Sequence, residues 1–288
     1  MRYARNIAYW GTFIVGLCLT LASCKKMNLD GLAFPRQTLD EYELEDYDNV
    51  QLVSMTSVDE ESGEEYTIYG AYIGDISSIA TDTVILYCHG QSRHMDAYWT
   101  RVDLLAHVAG HHHYGVFMMD YRGYGMSEGT PTERGLYEDV DASISWLRSQ
   151  GVEGGRTFYY GFSLGCIPVI DRAAYREDFK PAKIMLESPL SSVENLAQSS
   201  LILDVDPQFM TTLEFNNVEK IKDVDVPLLW MHGVEDDYIA ITNGEMIYEN
   251  HSGGYKEAIR VEGAGHGDVP VVLKANPYIE IIENFMKH

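Results

Sequence analysis

The chain has 288 residues, 44 acidic against 21 basic, and a formal net charge of −23. A balance this acidic excludes nucleic acid as a partner and argues against electrostatic docking on anionic lipid. Its plain role is solubility, and the length suits one large α/β domain with an ample core.

At the start, Arg2 and Arg5 precede a largely apolar run from Ile7 to Leu21, and Leu21-Ala22-Ser23-Cys24 follows. The pattern reads as a secretory signal peptide over residues 1–24, its apolar part being short for a spanning helix. The alternative is an uncleaved N-terminal anchor; in both cases the body lies outside the cytoplasm. The Leu-Ala-Ser-Cys ending resembles a bacterial lipobox. That resemblance implies cleavage before Cys24, a lipid on Cys24, and an exported protein held on the cell envelope, at the outer membrane, the cell surface or in the periplasm. Lys25 in place of aspartate favours the outer membrane by the same analogy. Acyl chains of this kind tether without spanning. Cys18 leaves with the signal, so Cys88 and Cys166 are the thiols of the folded part. Two cysteines make no disulfide framework, and buried free thiols are the favoured reading over a bridge in an oxidising compartment.

Residues 25–48 read as an acidic spacer. The run from Asp40 to Asp48 repels itself and should stay solvated, and it lacks the spacing of a calcium loop. From residue 49 to 288 strands and helices take over. Residues 51–55 and 66–73 read as an opening antiparallel hairpin about the turn Asp59-Glu60-Glu61-Ser62-Gly63. Near-continuous apolar runs at 83–88 and 115–120 suit strands covered on both faces. Residues 98–108, 136–147 and 278–286 carry helical spacing, and 156–160, 183–186 and 228–231 read as further strands. The alternation predicts a mostly parallel sheet with helices on both faces. It slackens only over 190–225, which reads as a small cap insert. Leu201, Ile202, Leu203, Phe209, Met210, Leu213 and Phe215 either wall a pocket there or pack the insert onto the body; periodicity leaves both open.

The stretch that organises the chain is Gly161-Phe162-Ser163-Leu164-Gly165, a G-x-S-x-G string between a strand and a helix-compatible segment. Such an elbow lifts Ser163 Oγ out of the sheet and aims a helix N-terminus at a developing oxyanion. A serine needs a base and an orienting acid to become a nucleophile. His266, in a glycine-rich loop after the last strand, is the candidate base, and Asp236, beyond the strand ending at Met231, the candidate acid. Glu235 and Asp237 flank that acid but should point away from it on an extended segment. Glu187 is a weaker substitute, His232 a support for the loop, and Asp268 a loop hydrogen-bonding group. His111-His112-His113 lack the spaced ligands of a metal site and read as solvated. No cofactor or metal is called for. By position, the N–H groups of Leu164 and Gln91 form the oxyanion hole.

From about Val50 onward the chain resembles the α/β-hydrolase superfamily of serine-hydrolase type. The resemblance rests on Leu86-Tyr87-Cys88-His89-Gly90, the string from Asp120 to Gly129, the elbow, and His232 to Asp236. These blocks are similar to a branch holding serine-aminopeptidase-like hydrolases and α/β-hydrolase-domain acyl-protein thioesterases. The resemblance implies an eight-stranded sheet, a Ser-Asp-His triad and hydrolysis of an ester or thioester through an acyl-enzyme. The substrate would be a small-molecule ester, thioester or short peptide, with the membrane met through the N-terminal lipid. Gln91-Ser92 replaces the expected glycine- or asparagine-containing loop, and Cys166 stands where a smaller residue is usual. A peptidase is the alternative within enzymes, and a non-catalytic binding lipoprotein with this fold the alternative outside them.

Overall fold

A computed structural model describes residues 30–44, 49–106, 108, 114–195 and 212–288. The signal segment with Cys24, the His111–His113 run and the apolar residues from Leu201 to Met210 lie outside the described residues. In chain order the elements are α1 (Asp30–Ala33), β1 (Gln37–Thr38), β2 (Val50–Val58), β3 (Glu65–Ile73), β4 (Thr83–Cys88), α2 (Met95–Ala106), β5 (Tyr114–Met119) and β6 (Tyr124–Gly125). Then come α3 (Glu133–Ser149), β7 (Thr157–Phe162), α4 (Cys166–Tyr175), β8 (Lys183–Glu187) and α5 (Asn217–Lys220). The chain ends with β9 (Leu228–Gly233), α6 (Thr242–Asn250), β10 (Lys256–Val261), α7 (Val269–Leu273) and α8 (Ala275–Lys287).

Eight strands form one sheet in the order β10-β9-β8-β7-β4-β5-β3-β2. The six from β10 to β5 run parallel, while β3 is antiparallel to β5 and pairs with β2 as the expected hairpin. The apolar runs are explained by burial on both sides. Along β4, Val84, Leu86 and Cys88 join one core cluster and Ile85 and Tyr87 the other. The first cluster takes in α3 and α4, and the second takes in α2 and α8. By contrast β2 is half covered: Val53, Met55 and Ser57 are buried between exposed neighbours. Its alternation continues to Val58, which is why it outruns the residues 51–55 picked out by apolar content. Helix α3 begins where the Thr132 hydroxyl accepts the Gly135 N–H at 2.9 Å, and it buries Leu136, Val140, Ile144 and Leu147.

Chain order fixes where a site can form. β4 is followed by β5 on one side, yet β7 pairs with β4 on the other. A crevice opens at such a reversal, outside the carboxyl ends of the strands. There β4 delivers His89-Gly90-Gln91 and β7 delivers Ser163.

The spacer expectation for 25–48 needs correction. The described part, residues 30–44, is laid along the body: Ala33 and Phe34 are buried and β1 pairs in parallel with β6. Tyr42 donates its hydroxyl to Asp120 at 2.7 Å. Aromatic anchoring outweighs the self-repulsion of the acids, of which Asp40, Glu41 and Glu43 stay exposed.

Arg122, from the Tyr121-Arg122-Gly123 turn, is buried with its guanidinium 2.9 Å from Asp139 and 2.7 Å from Glu138, and donates to Ser57 at 2.9 Å. The pair joins the β5–β6 turn to α3 and β2. Arg122→Ala leaves the buried Asp139 without its counter-charge, while Glu138 keeps Arg134 at 3.0 Å, and should cost about 3–5 kcal/mol. Thermal denaturation should show a correspondingly lower Tm, and an unchanged Tm would refute that role.

Candidate active site

At the end of β7 the backbone turns sharply, with Ser163 at φ +52° before a single 3-10 turn leads into α4. A non-glycine residue held there is strained, and the packing shows what holds it. A Cβ on Gly165 would stand 2.0 Å from the Cys88 carbonyl oxygen, and one on Gly161 would stand 2.7 Å from Cys166 Cα. The two glycines therefore let β4, β7 and α4 meet backbone to backbone, and the serine is what remains at the apex.

Ser163 Oγ lies 3.0 Å from His266 Nε2, and His266 Nδ1 lies 2.8 Å from Asp236 Oδ2. Three residues from separate loops are thus brought into one hydrogen-bonded row. Asp236 is buried, while Glu235 and Asp237 on either side are exposed, as the alternation expected. Glu235 turns instead to accept the Gly263 N–H at 2.6 Å. Burial by itself would push the Asp236 carboxyl up. Hydrogen bonds from His232 and His266, the charge of His266 and the Ile239 N–H outweigh it and hold the group well below the usual carboxylate range. The carboxylate is accordingly ionised wherever the histidine works.

His232 supports that acid. Its Nε2 is 2.9 Å from the Ile239 carbonyl oxygen and 3.2 Å from Asp236 Oδ2, and both acceptors require the proton on that nitrogen. Its Nδ1 is then free to accept from Trp230 Nε1, 3.4 Å away. Tyr238 completes the acid loop. Its N–H donates to Asp236 Oδ1 at 3.0 Å, and its ring lies 4.8 Å from the His266 ring. Phe162 covers another side of His266 at 5.3 Å.

Glu187 takes no place in the row. Both its oxygens accept from Arg101, at 2.9 and 2.7 Å, and Tyr160 donates to one of them at 2.7 Å. Arg101 also donates to the Gly267 carbonyl and lies 4.2 Å over the Phe162 ring. One largely covered cation therefore touches the end of β8, the residue before Ser163 and the residue after His266. Its position was legible in α2: residue 101 falls on the face of Tyr98, Val102 and Leu105, where a charge is out of place unless paired. Tyr238 and Phe162 gave no comparable signal, because their neighbours arrive from distant segments. Asp268 is exposed at the head of α7, apart from the row.

Gln91 and Leu164 flank the serine. The Gln91 amide side chain donates to the Ala33 carbonyl and accepts the Tyr238 hydroxyl at 2.8 Å. His89, two residues earlier, is buried beside Asp120, with Nε2 3.0 Å from Oδ1 and Nδ1 2.7 Å from the Gly90 carbonyl. Two cavities meet at Ser163. A narrow slot is walled by Phe34, Leu164, Ile167, Leu190, Phe215 and Ile239 among others, with no charged residue among the described residues of its lining. A wider, open groove holds Tyr98, Thr100, Arg101, Phe162 and His266. Phe215 of the insert thus lines the slot, and both it and Leu213 pack into the core. No group of side chains among the described residues is disposed to hold a metal ion.

Such a strand order, with a serine elbow at its centre, is the α/β-hydrolase fold. Three solved structures illustrate it: the esterase Pf2001 of Pyrococcus furiosus (17% identity, TM-score 0.67, 88% of this chain and 96% of that one); the esterase RhEst1 from a Rhodococcus species (17%, 0.61, 82% and 98%); and Est1E from Butyrivibrio proteoclasticus with ferulic acid bound (15%, 0.63, 77% and 95%). The family model described as serine aminopeptidase, S33, matches residues 80–217, a little under half of the chain. Among curated proteins, the mouse alpha/beta hydrolase domain-containing protein 17C is 34% identical over 178 residues, covering 60% of this chain and 51% of its own length. The human protein 17B is 34% identical over 176 residues, covering 59% and 56%. The chain thus spans about half the length of the curated relatives it matches.

Cys88 and Cys166 are unbridged and buried on either side of the elbow packing. Burial pushes the Cys88 thiol up to about 12 and Cys166 well above its ordinary value, while Cys166 Sγ donates to the Gly161 carbonyl at 3.1 Å. Both should resist alkylation at mildly alkaline pH while the protein is folded and react once it is denatured in guanidinium. Peptide mapping by mass spectrometry reads this directly. Labelling of either thiol in the native protein would contradict it.

Proposed function

We propose that the protein is a serine hydrolase that cleaves a carboxylic ester or thioester through an acyl-enzyme. The Ser163–His266–Asp236 row, with its serine on a strained elbow, is the observation that carries this reading. Ser163 Oγ attacks the carbonyl carbon as its proton passes to His266 Nε2, and Asp236 stabilises the imidazolium. The tetrahedral oxyanion is received by the N–H groups of Leu164 and Gln91 and by the positive end of α4. As it collapses, the bond to the leaving oxygen or sulfur breaks and His266 returns the proton to that atom. Water, deprotonated by the same histidine, then attacks the acyl-enzyme and releases the acid and Ser163.

Peptide amides suit the same machinery, and the aminopeptidase name of the matching family keeps them in view. The described residues of the slot lining offer no carboxylate to hold a peptide's ammonium group, which favours esters and thioesters. The esterase neighbours by fold are consistent with this. For the cell, the Leu21–Cys24 string supports export and a lipid on Cys24, which would place the body on an envelope membrane.

The full chain should label with a fluorophosphonate probe, and Ser163→Ala should abolish labelling and turnover. Asp236→Asn should lower kcat by about four orders of magnitude, since the histidine then loses the acceptor that fixes its tautomer. A folded wild-type protein that neither labels nor turns over nitrophenyl esters or acyl thioesters would leave the binding-protein reading in its place.

Separately, Cys24→Ser should move the protein from the membrane fraction to the soluble one, as judged by fractionation and by loss of metabolic fatty-acid label. Unchanged fractionation and label would exclude the lipid.

A further inference from the structure

The residues of the row do not account for the segment from Asp30 to Glu43, which is tied down along its length. The Gln37 N–H donates to the Gly123 carbonyl at 2.9 Å and the Leu39 N–H to Gly125 at 2.8 Å. The Arg93 N–H donates to Gln37 Oε1 at 2.6 Å. Tyr42 is held on Asp120, and the Glu43 N–H reaches Asp96 at 2.9 Å. Fixed in this way, the segment turns Ala33 and Phe34 inward, 7% and 1% exposed, as part of the wall of the apolar slot. Gln91 ties that wall to the acid loop, one end of its amide on Ala33 and the other on Tyr238.

The two cavities can be assigned to the two halves of a substrate. His266 faces the groove and is absent from the slot lining, and it is the group that must protonate the leaving atom. The leaving group therefore lies in the groove, beside Thr100 and Arg101, and the acyl group enters the slot. Resting on the ester or thioester reading, we infer that the Asp30–Glu43 strap is a specificity element: Ala33 and Phe34 set how long an apolar acyl chain the slot accepts. The strap does this as a side wall of the slot.

The test uses the full chain and a series of nitrophenyl esters from acetate to dodecanoate, with kcat/KM measured for each. Phe34→Ala should lengthen the preferred acyl chain and raise the decanoate-to-butyrate ratio of kcat/KM by about tenfold or more, one or two methylenes' worth of discrimination. Ala33→Leu fills the slot and should move the ratio the other way. Loss of a buried ring is costly, so should Phe34→Ala fail to fold, Ala33→Leu carries the test alone. A folded variant whose ratio equals that of wild type overturns the inference. So does a loss that is uniform across chain lengths, which would mean that the strap only steadies Gln91. Absence of fluorophosphonate labelling in the wild type is a different failure, since it removes the hydrolase reading itself.

Discussion

Asp120, buried at the carboxyl end of β5, accepts the Met95 N–H at 2.9 Å on one oxygen and the Tyr42 hydroxyl at 2.7 Å on the other. His89 stands 3.0 Å from the first oxygen. One carboxylate thereby sets the head of α2, the loop that carries Gln91, and the end of the strap. The Ser127 hydroxyl, donating to the Asp120 carbonyl at 2.8 Å, closes the same turn from beyond β6. This explains in physical terms why the string Asp120 to Gly129 is so particular. Its aspartate organises the loop that carries Gln91, its arginine pins α3, and Tyr124–Gly125 gives β1 an edge to pair with. None of these residues touches the place where a substrate carbonyl would sit, yet each decides where the groups that do touch it stand.

The histidine side has its own anchor. Arg101, largely covered, and the fully buried Glu187 form an ion pair whose tyrosine neighbours, Tyr160 and Tyr278, lie hydroxyl to hydroxyl at 2.7 Å. That contact brings α8 onto β7, so the last helix is coupled to the elbow through polar groups as well as through its apolar face. The charge of Glu187 and the neighbouring tyrosines raise the Arg101 pKa further, despite burial. The cation is thus a fixed feature at every pH where the protein is folded. Removing it would leave Glu187 as an uncompensated buried charge, which is why the pair is better understood as a constraint on geometry than as a surplus of stability.

Much of the sheet was legible because its strands are covered on both sides and so read as unbroken apolar runs. The elbow was legible because glycine spacing reports a backbone crossing that admits no Cβ. Asp236 stood out from Glu235 and Asp237 through the two-residue alternation of an extended segment. What escaped was governed by contacts between distant segments. Residues 30–44 read as a solvated spacer because their acids dominate the composition, whereas Phe34 and Tyr42, single aromatics in that run, decide its path. The β1–β6 pairing is two residues long and leaves no periodicity at all. Tyr238 and Phe162, which sandwich His266, are ordinary aromatics in sequence and become distinctive only through the company the fold gives them.

The strap also bears on the order in which the molecule can be assembled. Its partner Tyr124–Gly125 lies far along the chain from Gln37–Thr38, and its other dock, Asp120, is at the end of a central strand. Residues 30–43 therefore wait for the strands around β4 and β5 before they have these docks to bind. Contacts of long sequence separation form late, because loop closure must precede them. Until they form, the slot beside Ser163 lacks a wall and shows its apolar lining to solvent, the kind of surface that invites association between unfinished chains. Maturation of the pocket and burial of that surface are then a single event, completed when the strap folds back over it.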